Sequence, residues 1–252
     1  MNTSPDPRPL ASRRALIVGV GGVGAPAALA LAEAGVGALV LADDDVVEAS
    51  NLHRQILFSP SDVGRSKLEA TRDALRARAP RTAVELRATR ATPATVAALV
   101  RDAHVVIDAT DNFATRFLLA DACHLAGVAI VHAAAVAWRA TVLAVRPRGA
   151  PCYRCLFEDL PAGPAPDCAS AGIVGPVCGV AGAVAAEMAL DLATGAERLA
   201  GHVATYDGRS DALRLVAAHA RAACCLCGTN PTLVGLDEQR YLATHACGGD
   251  AA

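Results

Sequence analysis

The first 135 residues alternate between short apolar runs and stretches rich in helix formers. Runs at 14–20, 37–42, 104–110 and 128–133 have the length and continuity of buried strands, and 83–88 is a shorter one. Helical stretches lie between them at 25–34, 65–78 and 112–125, with another after Pro93. This strand–helix alternation predicts an α/β, Rossmann-like doubly wound sheet, parallel in this half, with helices on both faces.

The pattern changes from about residue 139. It predicts strands at 139–146, 202–207 and 212–217, a long helix at 177–194, and an irregular loop rich in Pro, Gly and Asp at 158–170. With no repeat or linker between the halves, the second half is interpreted as a mixed extension of the same sheet. We therefore expect a single domain over 1–228, with halves at about 13–135 and 136–228, and a tail over 229–252.

Composition excludes several classes of protein. Hydrophobic residues make up 53% of the chain and charged residues 19%, which excludes a disordered chain. The net charge of −2 gives no basic field for nucleic acid or anionic lipid. No apolar run reaches the roughly 18 uncharged residues of a membrane span, and the N-terminal residues lack a secretory apolar stretch. A cytoplasmic protein that binds neither membrane nor nucleic acid is expected.

Rare polar residues cluster in one segment. Alanine occupies 58 positions, and Lys67 is the single lysine beside 22 arginines. Asn51 and Gln55 are similarly rare types, and all three residues fall within 17 positions. Chance is one interpretation; the other is a polar functional site over 51–67.

A glycine-rich turn at 19–24 follows the first strand and opens the first helix. Gly19, Gly21 and Gly24, with Gly22 among them, would let the backbone approach phosphates at the helix N-terminus. Asp43, at the end of the next strand, could accept hydrogen bonds from a ribose. By itself this pattern also fits a nicotinamide or flavin enzyme, or a tight turn without a ligand.

Four of the nine cysteines form two CxxC pairs, Cys152/Cys155 and Cys224/Cys227. This spacing lets both thiolates of a pair reach one tetrahedral Zn²⁺, so a structural Cys₄ zinc clip is predicted. A redox CxxC is the alternative, and Cys225 makes the second pair's register ambiguous. Cys123 and Cys178 lie in apolar helical surroundings and are expected in the core.

Two sequence segments favour one class of nucleotide-binding protein over the others. The stretches DDDVVEASNLHRQILFSPSDVGRSKLEA at 43–70 and VIDATDN at 106–112 resemble the MoeB/ThiF/E1-like superfamily of adenylyltransferases. The resemblance spans about 13–228, includes PCYRC at 151–155, AGIVGPVCGV at 171–180 and CCLCG at 224–228, and is nearest to ThiF.

The resemblance implies that ATP lies over the glycine turn and that the C-terminal glycine of a ubiquitin-like sulfur-carrier protein, of the ThiS or MoaD type, attacks its α-phosphate. A carboxylate is already nucleophilic, so positioning and charge stabilisation suffice. By resemblance, Asp43 holds the ribose, Asp111 places Mg²⁺, Asn112 flanks the nucleotide, and the phosphates are surrounded by Asn51, Arg54, Gln55 and Lys67.

Ordinary alternatives exist for several of these residues. Arg54 could be a surface charge, Lys67 a solvated helix residue and Asp111 a helix N-cap. Arg116, on the helix that follows, could face the site or solvent. Cys168 in the 158–170 loop could link covalently to the carrier during sulfur transfer, or be a bystander.

The resemblance also implies a homodimer and a carrier ending in Gly-Gly. The family's Arg-Tyr-x-Arg-Gln signal is not found near the N-terminus, where Arg8, Arg13 and Arg14 are the nearest substitutes. No rhodanese domain follows residue 228, so a separate desulfurase or rhodanese is expected as sulfur donor. Two rival hypotheses are a nicotinamide-dependent oxidoreductase and a catalytically weakened module that only docks a ubiquitin-like partner.

Overall fold

A computed structural model describes residues 9–160 and 172–241. Its eight strands form one sheet, and they are β1 (Arg14–Val18), β2 (Ala38–Ala42), β3 (Ala83–Arg87), β4 (Val105–Asp108), β5 (Ala129–Val136), β6 (Arg139–Val145), β7 (His202–Asp207) and β8 (Ala212–Ala217). The α-helices of this part of the chain are α1 (Gly24–Glu33), α2 (Lys67–Arg78), α3 (Val96–Val100), α4 (Phe113–Ala126), α5 (Tyr153–Leu156) and α6 (Gly175–Thr194).

The strand order is β3-β2-β1-β4-β5-β6-β7-β8. The first five strands pair in parallel, and β6, β7 and β8 extend the sheet antiparallel. The β3-β2-β1-β4 order is that of a Rossmann sheet, in which the chain reverses its winding between β1 and β4. This confirms the predicted doubly wound sheet, parallel first and mixed beyond.

Side chains that alternate along the central strands build two cores. Ile17 and Ile107 face the layer that contains α1, α2 and α6. Leu16 and Val106 face the opposite layer, which contains α3 and α4 and includes the CxxC cysteines. All four are fully buried, and each contributes roughly 1.5–3 kcal/mol by leaving water. Burial on both faces explains why these strands are continuous apolar runs.

The helix α6 is long and apolar enough to span a membrane, but 61% of its most apolar 18-residue window is buried in the protein. It packs along α1 and across β5 and β6. Gly182 permits this approach, because a Cβ there would lie 2.6 Å from the carbonyl oxygen of Val23. We therefore identify α6 as a core helix.

The chain remains packed beyond residue 228. Leu233 and Tyr241 are buried against the layer that contains α4. The Tyr241 hydroxyl donates to Asp121 Oδ2 at 2.7 Å, and Arg154 donates to both oxygens of the same carboxylate at 2.8 Å. Residues up to Tyr241 thus contribute to the fold.

Among the predicted boundaries, two differ from the structure for identifiable reasons. The strand predicted at 14–20 ends at Val18, because Gly19 adopts a φ of +86° and turns the chain. The helix predicted at 177–194 begins earlier, at Gly175, with Pro176 in its first turn where no amide donor is needed. The loop predicted at 158–170 falls mostly outside the described residues.

The glycine turn gives a test of this packing. A Cβ on Gly24 would collide with the carbonyl oxygen of Gly19, whereas a Cβ on Gly179, inside α6, meets nothing within 4 Å. We expect Gly24→Ala to lower the free energy of unfolding by about 1–3 kcal/mol through overpacking. The control Gly179→Ala should raise it by about 0.5–1 kcal/mol through the lost flexibility of the unfolded chain.

Urea unfolding of the purified variants measures both changes. Equal stability of Gly24→Ala and the parent chain would show that the turn is looser than described.

Candidate active site

A cleft of about 450 Å³ opens at the carboxyl ends of β1, β2 and β4. This is the topological switch point, where the loops after β1 and β4 diverge to opposite faces of the sheet. All the nucleotide-site residues predicted from the sequence line it except Gly24. Five segments of the chain supply these lining residues, which are Gly19, Gly21, Gly22, Asp43, Asn51, Arg54, Gln55, Lys67, Asp111 and Asn112.

The glycine turn forms the floor of the cleft. A Cβ on Gly19 would lie 2.9 Å from the carbonyl oxygen of Ala109, so only glycine allows the loops after β1 and β4 to meet this closely. Gly24 starts α1, and the preceding residue Val23 has no side-chain oxygen to cap the helix. In this first turn the Ala25 and Ala27 N–H groups already donate to the carbonyls of Gly21 and Val23, and Pro26 has no N–H. The helix therefore offers a phosphate the positive end of its dipole rather than a set of free amides.

Asp43 braces this turn. Its Oδ2 accepts a hydrogen bond from the backbone N–H of Val20 at 2.8 Å, and its Oδ1 accepts one from Asp45 at 2.9 Å. Each carboxylate oxygen keeps a second lone pair, so Asp43 can still accept from a ribose hydroxyl.

Lys67 reaches the cleft because the start of α2 is tied to the segment after β2. The Lys67 backbone N–H donates to the Asp45 carbonyl, and Val46 and Ser66 form an isolated bridge beside it. The Lys67 ammonium lies 2.8 Å from Asp45 Oδ2, and its side chain is only 8% exposed. The interpretation of Lys67 as a solvated helix residue is therefore wrong.

The segment around residue 51 supplies a cation and two amides. Asn51 ends a short 3₁₀ turn, and its carbonyl accepts the backbone N–H groups of Arg54 and Gln55. The Arg54 guanidinium donates to Asn51 Oδ1 at 2.6 Å, and this half-buried side chain lines the cleft. Gln55 is buried, and its Oε1 has no hydrogen-bond partner within 9–160 and 172–241.

The hydrogen-bonding groups of Gln55 bear on whether a polar ligand fits the cleft. A buried carbonyl oxygen without a partner costs about 1–3 kcal/mol. This oxygen is itself shielded, whereas the Gln55 amide nitrogen lies toward Gly21 in the cleft lining and can donate to a phosphate oxygen. The donor set and the phosphate-type turn together suit a nucleotide.

The loop between β4 and α4 carries Asp111 and Asn112. Asn112, not Asp111, caps α4, because Asn112 Oδ1 accepts from the Thr115 backbone N–H at 2.8 Å. The N-cap interpretation of Asp111 is therefore wrong. Asp111 is exposed at the cleft wall, where a Mg²⁺ could approach its carboxylate.

Arg116 lies one turn further along α4 and faces the cleft, not bulk solvent. Its Nη2 donates to the backbone carbonyls of Thr110 and Ala133, the latter at 2.7 Å. Behind it, Asp108 is fully buried and accepts from His132 Nδ1 at 2.8 Å. Burial would raise the pKa of Asp108, but the positive charge of Arg116 and the His132 and Thr110 hydrogen bonds outweigh it and hold this pKa below its usual range.

Sequence analysis missed the partners that hold the cations. Asp45 binds Lys67, and Asp44 accepts from Arg90 Nε at 2.6 Å across the mouth of the cleft. Cys178 also lines the cleft, and a Cβ on Gly22 would lie 3.2 Å from its sulfur. The acidic run at 43–45 was the available signal for Asp44 and Asp45, whereas His132 offered none.

The four predicted cysteine ligands meet on the α4 face of the sheet. The sulfurs of Cys152, Cys155, Cys224 and Cys227 lie within 4.8 Å of one another, and Cys225 is not among them. Ligands bound to a tetrahedral ion at about 2.3 Å would have this kind of spacing. The cluster can therefore hold one metal ion, and the register of the second pair is settled.

Local hydrogen bonds suit bound thiolates. Burial raises the pKa of Cys224, but the backbone N–H groups of Cys227 and Leu226 more than compensate and lower it to about 7. Burial and the neighbouring sulfurs raise the pKa of Cys152, so several thiolates require a cation between them. Arg154, only 1% exposed on its side chain, lies between two of the ligands and anchors them to Asp121 on α4.

Cys123 and Cys178 are fully buried, as predicted. Arg14 forms an ion pair with Glu85 at 2.5 Å, and Arg13 is buried at the amino end of β1, the edge of the sheet opposite the cleft. Arg8 and Cys168 lie outside the described residues, so the role of Cys168 stays a prediction.

The fold and the cleft together define a doubly wound nucleotide-binding protein with a four-cysteine cluster on its mixed half. The chain belongs to the ThiF family, whose model matches residues 5–227. It is 40% identical over 221 residues to the SAMP-activating enzyme E1 of Haloferax volcanii, covering 87% of this chain and 82% of that protein. It is also 40% identical over 222 residues to the sulfur carrier protein ThiS adenylyltransferase of Escherichia coli, covering 87% of each.

Longer relatives match over part of their length. The adenylyltransferase and sulfurtransferase MOCS3 of Bos taurus is 40% identical over 247 residues, which cover 96% of this chain and 53% of that protein. Among solved structures, E. coli MccB with ATP superposes with a TM-score of 0.76 at 24% identity over 87% of this chain and 67% of MccB. PaaA superposes with a TM-score of 0.69 at 23% identity over 82% of this chain and 64% of PaaA. These structures support the fold.

Proposed function

We propose that this protein adenylylates the C-terminal glycine of a ubiquitin-like sulfur-carrier protein. The observation that carries the proposal is the convergence of the single lysine, its amide and arginine neighbours, the glycine turn and Asp111 in one cleft. Two relatives at 40% identity, named as a SAMP-activating E1 and a ThiS adenylyltransferase, support the same reaction.

The reaction requires little from protein acids and bases. A carboxylate oxygen of the carrier's last glycine attacks the α-phosphorus of ATP, the bond from that phosphorus to the β-phosphate oxygen breaks, and pyrophosphate leaves. The carboxylate is ionised at neutral pH, so no general base is needed. Catalysis then depends on alignment of the reactants and on stabilisation of the charge that develops on the phosphates.

Different residues of the cleft bind the ribose, bind the phosphates and stabilise their charge. Asp43 accepts from the ribose, and the glycine turn with the N-terminus of α1 receives phosphate oxygens. Arg54 forks across phosphate oxygens, and Lys67 places a compact positive charge beside them. Lys67 and Arg54 are already held by Asp45 and Asn51, so little ordering accompanies binding. Asp111 would hold Mg²⁺, which when bound would supply positive charge to the phosphates.

The second half of the chain, about 136–228, is proposed to receive the carrier and to hold Zn²⁺ at the four cysteines. The proposed substrate is a carrier of the ThiS or MoaD type ending in Gly-Gly, for thiamine or molybdopterin sulfur transfer. One relative is named as an adenylyltransferase of the sulfur carrier protein ThiS, and another as an adenylyltransferase and sulfurtransferase. The chain spans about half the length of the MOCS3 relatives. A separate desulfurase or rhodanese donor, a homodimer and a cytoplasmic location complete the proposal.

A module that binds the carrier without adenylylating it is the second candidate function. Carrier binding without adenylate formation would favour it. A nicotinamide enzyme would instead bind NAD tightly and ATP not at all.

Lys67→Ala tests the proposed site. We expect a loss of at least about 100-fold in carrier-dependent ATP–pyrophosphate exchange, because the ammonium stabilises charge that increases in the transition state. Arg76→Ala is the matched control, because Arg76 is an exposed cation on the same helix; it should exchange at the parent rate. Normal exchange by folded Lys67→Ala protein would overturn the assignment.

Cys224→Ser tests the zinc site. We expect about one zinc per parent chain by elemental analysis, and a lower metal content with a lower unfolding temperature in the variant, because a lost thiolate opens the tetrahedral site. The control is Cys225→Ser, because Cys225 is one residue away and outside the cluster. Its metal content and its unfolding temperature should equal those of the parent chain. A fully folded parent chain without metal would refute the zinc proposal.

A further inference from the structure

A buried polar cluster lies directly behind the wall of the cleft. It consists of Asp108, Thr110, Arg116, His132 and Tyr153, which we call the Asp108 cluster. Thr110 and Arg116 line the cleft, whereas Asp108 and His132 do not. The latter two can therefore influence the cleft only through the residues they hold.

Asp108 distributes its two carboxylate oxygens between the loop and the neighbouring strand. Oδ1 accepts from the Thr110 backbone N–H at 3.1 Å and from the Thr110 hydroxyl at 2.7 Å. Oδ2 accepts from His132, which stands directly opposite Asp108 in the parallel β4–β5 register. An ionised carboxylate can only accept, so His132 donates from Nδ1.

His132 is held from its other side by Tyr153. The two rings stack with centroids 4.4 Å apart, and His132 is only 3% exposed. Tyr153 is the first residue of α5, between two of the cysteine ligands. The imidazole is therefore fixed between the strand β4 and the cysteine cluster.

Arg116 is fixed by the same group. Its Nη2 binds the carbonyl oxygens of Thr110 on the loop and Ala133 on β5, and its Nη1 lies 3.9 Å from Asp108 Oδ2. The Thr110 backbone is thereby held by Asp108 at its amide and by Arg116 at its carbonyl. The next residue is Asp111, and Asn112 after it caps α4.

Stability alone gives little reason for this arrangement. Replacing a buried ion pair with well-packed apolar residues is often neutral or stabilising, because desolvation of the charges offsets their attraction. Here a fully buried carboxylate and a buried imidazole are retained under the loop that presents Asp111 to the cleft and beside Arg116 on α4. What the pair supplies is a defined geometry for that loop.

We propose that Asp108 and His132 are positioning residues that hold the Arg116 guanidinium and the Thr110–Asn112 loop, and hence Asp111, in the geometry required for adenylyl transfer. This inference rests on the proposed function for the reaction it serves. Arg116 then contributes positive charge to the cleft from α4, while Arg54 and Lys67 contribute it from other segments of the lining.

His132→Leu and His132→Asn separate positioning from packing. Leucine fills the space without a donor, whereas an asparagine amide replaces the Nδ1–H donor to Asp108. We expect His132→Leu to lower kcat for carrier-dependent exchange about 10- to 100-fold with the KM for ATP changed less than about 3-fold, since small misalignments cost this much. His132→Asn should remain within about 3-fold of the parent kcat.

Asp191→Asn provides the matched control. Asp191 is a buried carboxylate at the end of α6, away from the cleft, that accepts from Leu199 N at 2.8 Å and Arg198 Nε at 3.1 Å. Loss of this carboxylate charge in Asp191→Asn should lower the unfolding temperature without changing kcat for carrier-dependent exchange. An unchanged kcat in His132→Leu, equal losses in the Leu and Asn variants, or an equal loss in Asp191→Asn would each overturn the inference.

A second pair of variants tests the same inference if the His132→Leu protein does not fold. Thr110→Val removes only the hydroxyl bond to Asp108, and Thr110→Ser restores it, so kcat should fall in the first and recover in the second. Loss of kcat in both, or in neither, would contradict the inference.

Crystal structures of the parent and of a folded His132→Leu or Thr110→Val variant separate this inference from the proposed function. If the parent shows no exchange with any carrier, the proposed function fails, and the structures still decide the positioning. Arg116 displaced from the Thr110 and Ala133 carbonyls in the variant supports it. Arg116 unmoved in the variant overturns it.

Discussion

The close contact between the glycine turn and the start of the loop after β4 is the constraint on which the cleft depends. Gly19 lies so near the Ala109 carbonyl that no side chain fits, and Gly24 lies against Gly19 in the same way. This contact fixes the N-terminus of α1 beside the Thr110–Asn112 loop. The phosphate-type turn and the acidic residue of that loop therefore face one space, although Gly24 and Asp111 are 87 positions apart in the sequence.

The cations around this space are held by partners rather than left to solvent. Lys67 binds Asp45, Arg54 binds Asn51, and Arg116 binds two backbone carbonyls over Asp108. Because these side chains are already ordered, ordering them costs little free energy when a substrate binds. For a reaction whose nucleophile is already ionised, preorganised charge is the main contribution a protein can make.

Much of the fold and of the site could be predicted from the sequence. The strand–helix alternation gave the parallel half, because strands buried on both faces are continuous apolar runs. Lys67 was visible as the single lysine of an arginine-rich chain, and the two CxxC pairs were visible by their spacing. These signals are local or compositional, so one chain is enough to read them.

The residues that could not be predicted are those defined by contacts across the sheet. In the sequence, His132 is one residue of an otherwise apolar strand and nothing marks it as functional. Only the β4–β5 register places it against Asp108. Asn112 and Asp111 are adjacent, and only the start of α4 decides which of them caps it. Arg116 likewise needed the orientation of α4 to be assigned to the cleft.

Mass spectrometry of a carrier protein tests the central claim most directly. A ThiS- or MoaD-type carrier ending in Gly-Gly, incubated with this protein, ATP and Mg²⁺, should gain the mass of one adenylyl group at its C-terminal glycine. The same carrier without its last glycine should remain unmodified. A panel of such carriers that binds the protein yet gains no adenylyl group would contradict the account and leave a docking module in its place.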